Sequence, residues 1–340
     1  MTHSLASPAA NATTTAPPPL PASDACSQDR FASQAALIRF EGVSKWFGNV
    51  IGLNNLTVEI GPGLTGLLGP NGAGKSTLLQ LATGQLKPSQ GRVEVLGVAP
   101  WGHPGLNHHL GLCPEQDAFY EWMTGRRFVT FRARLQGMSP KKAAEAAAQA
   151  IDLVSMGHAA DRPIKGYSKG MRQRIKLAQA LVHHPKVLFL DEPFTGTDPV
   201  ARREIMDAIL AMGRRGVSVV VSSHVLYEVE ALTDQVVMLN RGRLVATGRL
   251  DRIRDLIDRH PHRIVIRADD PRAVAAELVK WDHVVGLNLK RDDGSILVET
   301  HQPDRFYDAL PELATRPGLI IRGIHSDDDN LEAVFQYLIK

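Results

Sequence analysis

Cysteine is scarce in this chain of 340 residues: Cys26 and Cys113 are the whole supply, and they form no CxxC pair. That argues against a disulfide framework or a cysteine zinc site and suits a reducing compartment. Net charge is also small, +3 from 39 basic and 36 acidic residues. A sequence-independent nucleic-acid binder would carry a concentrated basic field, so no nucleic-acid partner is expected. No run approaches the roughly 18 apolar residues that a membrane-crossing helix needs. The best runs, such as VSVVV at 217–221, have the length of core strands. The first residues have neither the basic nor the apolar region of a secretory signal. Positions 1–36, rich in Ala, Pro, Ser and Thr, read instead as a disordered tail.

What remains is ordinary for a soluble globular protein, 44% hydrophobic and 22% charged, and long enough for more than one domain. From Leu37 onward short strand-like runs alternate with helical ones. LIRFEGV, LTVEI, LTGLLG, GRVEVLG, KVLFLDEP, VSVVVSSH and QVVMLN read as strands. A helix is expected from Lys75 to Gly84, and mostly helix from Thr124 to about His184, with Ser139 as N-cap and Pro140 at the first helical position. Apolar strands alternating with helices indicate a parallel sheet covered on both faces. Beyond Leu250 the pattern changes to half-buried alternation in HRIVIRA, VVGLNLK, SILVET and GLIIRGIH. With helical runs at PRAVAAELVK and PDRFYDAL the order becomes βαββαβ, closed by a helix at NLEAVFQYLIK, which predicts a small ferredoxin-like α+β domain.

The segment GPNGAGKS, Gly69 to Ser76, fits G-x-x-x-x-G-K-[ST] in full, after an apolar strand and before a helix. Pro70, Asn71 and Ala73 complete the loop. Gly69, Gly72 and Gly74 are expected to allow backbone angles closed to other residues, so that successive N–H groups face phosphate oxygens beside a helix N-terminus. Lys75 then reaches the β- and γ-phosphates, Ser76 offers a hydroxyl to Mg²⁺, and Thr77 meets the α-phosphate. At this point kinases, GTPases, motors and transport ATPases all remain open. VLFLDEP narrows the choice. Asp191 emerges at the carboxyl end of a buried strand, where doubly wound sheets bind ligands, and is placed to hold Mg²⁺. Glu192 points the other way and is placed to polarise an attacking water.

With YSKGMRQRIKLAQAL, Tyr167 to Leu181, the sequence resembles the ATP-binding subunits of ABC transporters. Their signature, usually LSGGQ, stands here as Tyr167-Ser168-Lys169-Gly170-Met171. The resemblance implies that Ser168, as helix N-cap, and Gly170 grip the γ-phosphate of ATP on a second subunit. Phe47 takes the adenine-stacking position, with Trp46 in reserve. Gln116 matches the glutamine that senses Mg²⁺ and water, Asp198 the loop between subunits, and His224 the histidine that contacts the γ-phosphate. The Lys-Gly signature and the added C-terminal domain look like the ABC-2 type branch, whose ATPases serve separate membrane permeases, often for export.

The expected fold is therefore α/β, a P-loop ABC ATPase domain at 37–250 with a helical subdomain at about 117–185, and an accessory α+β domain at 251–340. ATP and Mg²⁺ are the implied cofactors, and a second copy and permease subunits the implied partners. That arrangement places the chain on the cytoplasmic face of a membrane through the permease. Phe119, Tyr120 and Trp122 are candidates to meet the permease. A soluble ABC ATPase acting in translation or DNA repair is the alternative, but the chain has neither a second ATPase half nor a coiled-coil insertion. Three departures stand out: Lys169 for glycine, Phe194 for threonine or serine, and Thr197 for leucine. His108-His109 and His183-His184 lack further ligands at metal-binding spacing and read as surface or packing residues.

Overall fold

The computed structural model describes residues 36–257, 261–290 and 294–326. The expected tail (apart from Ala36) and the expected helix at 330–340 lie outside them. β1 (Ile38–Phe47) and β2 (Val50–Ile60) form a hairpin that turns at Gly48-Asn49, with Gly48 at φ 58°. β3 (Leu64–Leu68) enters the glycine-rich loop, from which α1 (Lys75–Ala82) departs, followed by β4 (Gln90–Val95). β1, β2 and β4 do not join the parallel sheet. They make their own antiparallel sheet in the order β2-β1-β4. The alternation of Arg39, Glu41 and Glu59 with buried Ile38, Phe40, Val58 and Ile60 leaves one face wet, and a wet face suits antiparallel pairing.

The central sheet takes β5 (Leu110–Cys113), β6 (Val187–Leu190), β7 (Ser218–Ser223), β8 (Gln235–Asn240) and β9 (Arg243–Arg249) around β3, in the order β5-β6-β7-β3-β8-β9. All pairs are parallel except β8 with β9. Every residue of β6 and β7 is buried, as expected of strands covered on both faces. The strands β5 and β9 have no counterpart in the sequence reading. β5 has just four residues, and β9 interrupts its apolar residues with Thr247 and Gly248.

Between β5 and β6 lie α2 (Gly125–Leu135), α3 (Pro140–Leu153) and α4 (Lys169–Leu181). Each starts where a hydroxyl side chain accepts a backbone N–H: Thr124 from Arg127, Ser139 from Lys142 and Ser168 from Met171. Ala143, Ala147 and Ile151 of α3 pack with Phe128, Ile175, Leu188 and Ile205 in one large core. α5 (Pro199–Arg214) and the short α6 (Leu226–Glu230) follow β6 and β7.

α7 (Leu250–Ile257) follows β9 directly, and Leu250 and Ile253 pack with Leu68, Val229, Val236 and Met238. The core of the central sheet therefore extends three residues past Leu250. Then come β10 (His262–Ala268), α8 (Pro271–Leu278), β11 (Val284–Leu289), β12 (Ser295–Thr300), α9 (Pro303–Ala314) and β13 (Ile321–Ser326). The sheet order β11-β12-β10-β13, antiparallel throughout, is the ferredoxin-like arrangement that the βαββαβ pattern implies.

Candidate nucleotide site

The loop between β3 and α1 is pinned from behind. Gly242 N donates to Ala73 O at 2.9 Å, and Asn54 N donates to Gly242 O at 2.8 Å, so the β8–β9 turn holds both the loop and β2. Gly72 and Gly74 have φ of 78° and 103°, the conformations expected of them. Gly69 has no such angle. A Cβ there would lie 2.5 Å from Leu239 O, so close backbone approach is what requires that glycine. Gly74 caps α1 without any side-chain hydrogen bond, and the first turn holds no acid. The positive end of this helix is left to whatever occupies the loop.

Lys75 folds over that loop. Its Nζ donates to Gly69 O at 2.6 Å and Pro70 O at 3.3 Å, and sits 3.1 Å from Glu192 Oε1 as an ion pair. Both side chains are under a tenth exposed, 6% and 9%. The other carboxylate oxygen of Glu192 meets His224 Nδ1 at 2.9 Å. Glu192 reaches this position at φ 48°, a left-handed angle costing about 1–2 kcal/mol in a non-glycine residue. Its N–H donates to Ser222 Oγ at 2.9 Å, and Ser222 Oγ–H in turn donates to Asp191 Oδ1 at 2.6 Å. One serine of β7 thus fixes both acids at the end of β6.

A cleft of about 540 Å³ opens over these groups, lined by Phe47, Asn71 to Thr77, Glu192, Thr195 and His224 among others. Phe47 stands at its edge, 45% exposed, with Lys45 Nζ 5.4 Å from the ring centre; Trp46 is not part of the lining. Asp191 is buried and is not part of the cleft lining. Gln116 lies elsewhere, in the wall of a larger cavity of about 1030 Å³ beside α2.

Ser168, Gly170 and Asp198 form a separate corner. Gly170 lies so close to Ala201 that a Cβ would be 2.6 Å from that methyl, and 3.8 Å from Asp198 Oδ2. Asp198 caps α5 by accepting from Ala201 N at 2.9 Å. The three departures now have contacts. Lys169 folds over Gly196, its Cδ 3.1 Å from where a Cβ would stand. Phe194 is fully buried in the large core. Thr197 turns inward, its hydroxyl donating to Phe194 O at 2.6 Å.

Two buried groups escaped sequence reasoning. Glu228 is 4% exposed, and burial pushes its carboxyl above the usual range against the pull of Ser223 and Arg202. Cys113, buried at the end of β5 beside β6, has its thiol pushed up to about 12 by burial, so it behaves as a small apolar side chain.

The chain matches the ABC transporter family over residues 53–195. The daunorubicin/doxorubicin resistance ATP-binding protein DrrA of Streptomyces peucetius is 31% identical over 88% of this chain and 91% of DrrA. The chain belongs to the ABC transporter ATP-binding family. This ABC ATPase is also 42% identical to the ABC transporter ATP-binding protein YxlF of Bacillus subtilis, over 55% of the chain and 62% of YxlF, under two thirds of that relative. Among solved structures, a Clostridium perfringens subunit of the cbiONQ transporter complex is 27% identical, with TM-score 0.58 over 66% of this chain and 95% of that one. Among the described residues of the ABC ATPase, no helix is long and apolar enough to cross a membrane.

Proposed function

We propose that this ABC ATPase binds MgATP in the Phe47–Lys75–Glu192–His224 cleft and hydrolyses it between two copies of the chain, driving a separate membrane permease. The observation that carries this reading is the convergence of Lys75, Glu192 and His224 on one cleft at an uncapped helix N-terminus. In this reading Phe47 stacks on the base, and the N–H groups of residues 69–77 cradle the phosphates while Lys75 exchanges Glu192 and the loop carbonyls for phosphate oxygens. Glu192, released from Lys75, orients the water, and His224 steadies the γ-phosphate.

The donors available for Mg²⁺ are the Ser76 hydroxyl and the Asp191 carboxylate, hard oxygens of the kind that Mg²⁺ takes in small number beside phosphate; Gln116 lines the neighbouring cavity and joins them only if it moves. When bound, the ion offsets phosphate charge. Ser168, Gly170 and Asp198 lie off the cleft in their own chain, which is why a second copy is needed to bring them to the nucleotide. The permease docks in the 1030 Å³ cavity, whose wall includes Phe119, Tyr120, Phe128 and Phe131; Trp122 stands outside it. DrrA is a drug-resistance ATP-binding protein, which supports export as the direction here. The domain division follows the same reading, with the accessory unit beginning after α7.

The test is Lys75→Ala in the purified full chain. ATP affinity drops by about 100-fold or more, in keeping with loss of a buried charge-assisted contact. Turnover and affinity equal to wild type would refute the assignment.

A further inference from the structure

The turn that carries His224 is anchored by a buried acid and a base from another helix. Ser223 Oγ–H donates to Glu228 Oε2 at 2.7 Å while the same oxygen accepts from Val225 N at 3.0 Å. These bonds close the backbone on both sides of His224. Glu228 Oε1 is held 3.5 Å from Arg202 Nε, and Arg202 Nη1 donates to Tyr227 OH at 2.7 Å with its guanidinium over that ring. Arg202 stands in the first turn of α5. Its own N–H donates to Asp198 O at 2.9 Å, and the residue before it, Ala201, makes the contact with Gly170.

A carboxylate buried at 4% exposure is expensive unless it is paired, and this one contributes nothing to the cleft lining. Packing alone would be met by an apolar side chain of similar volume. What the acid supplies is a fixed acceptor for Ser223 and a charged tie to the helix that starts at Asp198.

We propose that Glu228 and Arg202 are positioning residues that act through Ser223 to hold His224 at the γ-phosphate and to fix that turn to the start of α5. This rests on the reading above, in which His224 serves the phosphate. Glu228→Ala then loosens the His224 turn without touching the nucleotide. In the full chain kcat for ATP falls about tenfold, the scale of one lost ordering hydrogen bond, while KM stays within about twofold. Glu228→Gln keeps an acceptor for Ser223 and recovers most of the rate.

The double variant His224→Ala/Glu228→Ala decides the matter. If Glu228 works through His224, removing it from a chain that already lacks the imidazole changes kcat by less than about twofold. A tenfold loss in both backgrounds, or an unchanged kcat in Glu228→Ala, overturns the proposal. Should Glu228→Ala not fold, Ser223→Ala leaves the Glu228–Arg202 pair in place and must show the same loss; a wild-type rate there overturns it equally. The two readings fail separately. Full turnover by His224→Ala refutes the role of the histidine, whereas a slow His224→Ala beside a fast Glu228→Ala refutes the positioning role alone.

Discussion

Exchanging Glu192 for glutamine changes one atom and removes one charge from the centre of the cleft. In the structure that charge neutralises Lys75 at 3.1 Å in a setting where neither side chain is a tenth exposed. At an effective dielectric near 20 the attraction is about 5 kcal/mol gross, and most of it is offset by the cost of desolvating two ions. Lys75 keeps the carbonyls of Gly69 and Pro70 when the carboxylate is gone. Its stranded charge is therefore partly met, and the net loss of stability should be about 2 kcal/mol, below the roughly 3–5 kcal/mol of a buried pair broken with nothing left to meet the charge. For a chain of this size that is a fall of roughly 3 °C in midpoint, measured by calorimetry without nucleotide.

Saturating MgATP should largely remove the gap, to below about 1 kcal/mol, because Lys75 then pairs with phosphate in both proteins. The variant also lacks the carboxylate that repels the γ-phosphate, so it binds ATP at least as tightly. Turnover falls about 10²–10³-fold with loss of the base, and size-exclusion chromatography with ATP shows a dimer that persists. The same destabilisation with and without ATP would refute the idea that Lys75 changes partners. A monomer under saturating ATP would refute the shared site.

Gly69→Ala drives a Cβ into Leu239 O and costs about 1–3 kcal/mol by urea midpoint; a neutral substitution would show that the approach is not tight. A chain ending at Ile257 keeps the core of the central sheet, while one ending at Leu250 loses buried Ile253 and about 2–4 kcal/mol, and equal unfolding midpoints would refute that placement. Burial holds the His183 imidazole below its ordinary 6.5, while its Nε2–H donates to Leu110 O. The unfolded chain therefore binds more protons below about pH 6.5, and stability falls as pH drops through that value. His183→Gln should flatten this slope between about pH 7 and about pH 5.5; an unchanged slope assigns it elsewhere.

The phosphate loop, the paired acids and the signature were legible because each is a contiguous stretch whose chemistry depends on local backbone. The caps at Ser139 and Ser168 are local in the same sense, whereas those at Thr124 and Asp198 were seen only in the fold. The sheet division was not legible, because β1, β2 and β4 have strand patterns that do not state their partners. Gly69 was read for the wrong reason, since the carbonyl that forbids its side chain comes from Leu239, far along the chain. Glu228 and Arg202 gave no signal at all. A glutamate and an arginine on helices usually face water, and nothing short of the folded packing of α5 on α6 brings them together. Phe194 looked like an irregularity in a catalytic stretch and is a core side chain.

The knot at Gly242 has a bearing on how such a machine changes over time. Because the β8–β9 turn ties the glycine-rich loop to β2, the surface proposed to receive base and triphosphate is a single block, like an anvil bolted at two points. Substitutions in α2 and the segment before it, where the permease is proposed to seat, can accumulate without retuning that block. A chain built this way is free to acquire a new membrane partner while its grip on the fuel stays the same.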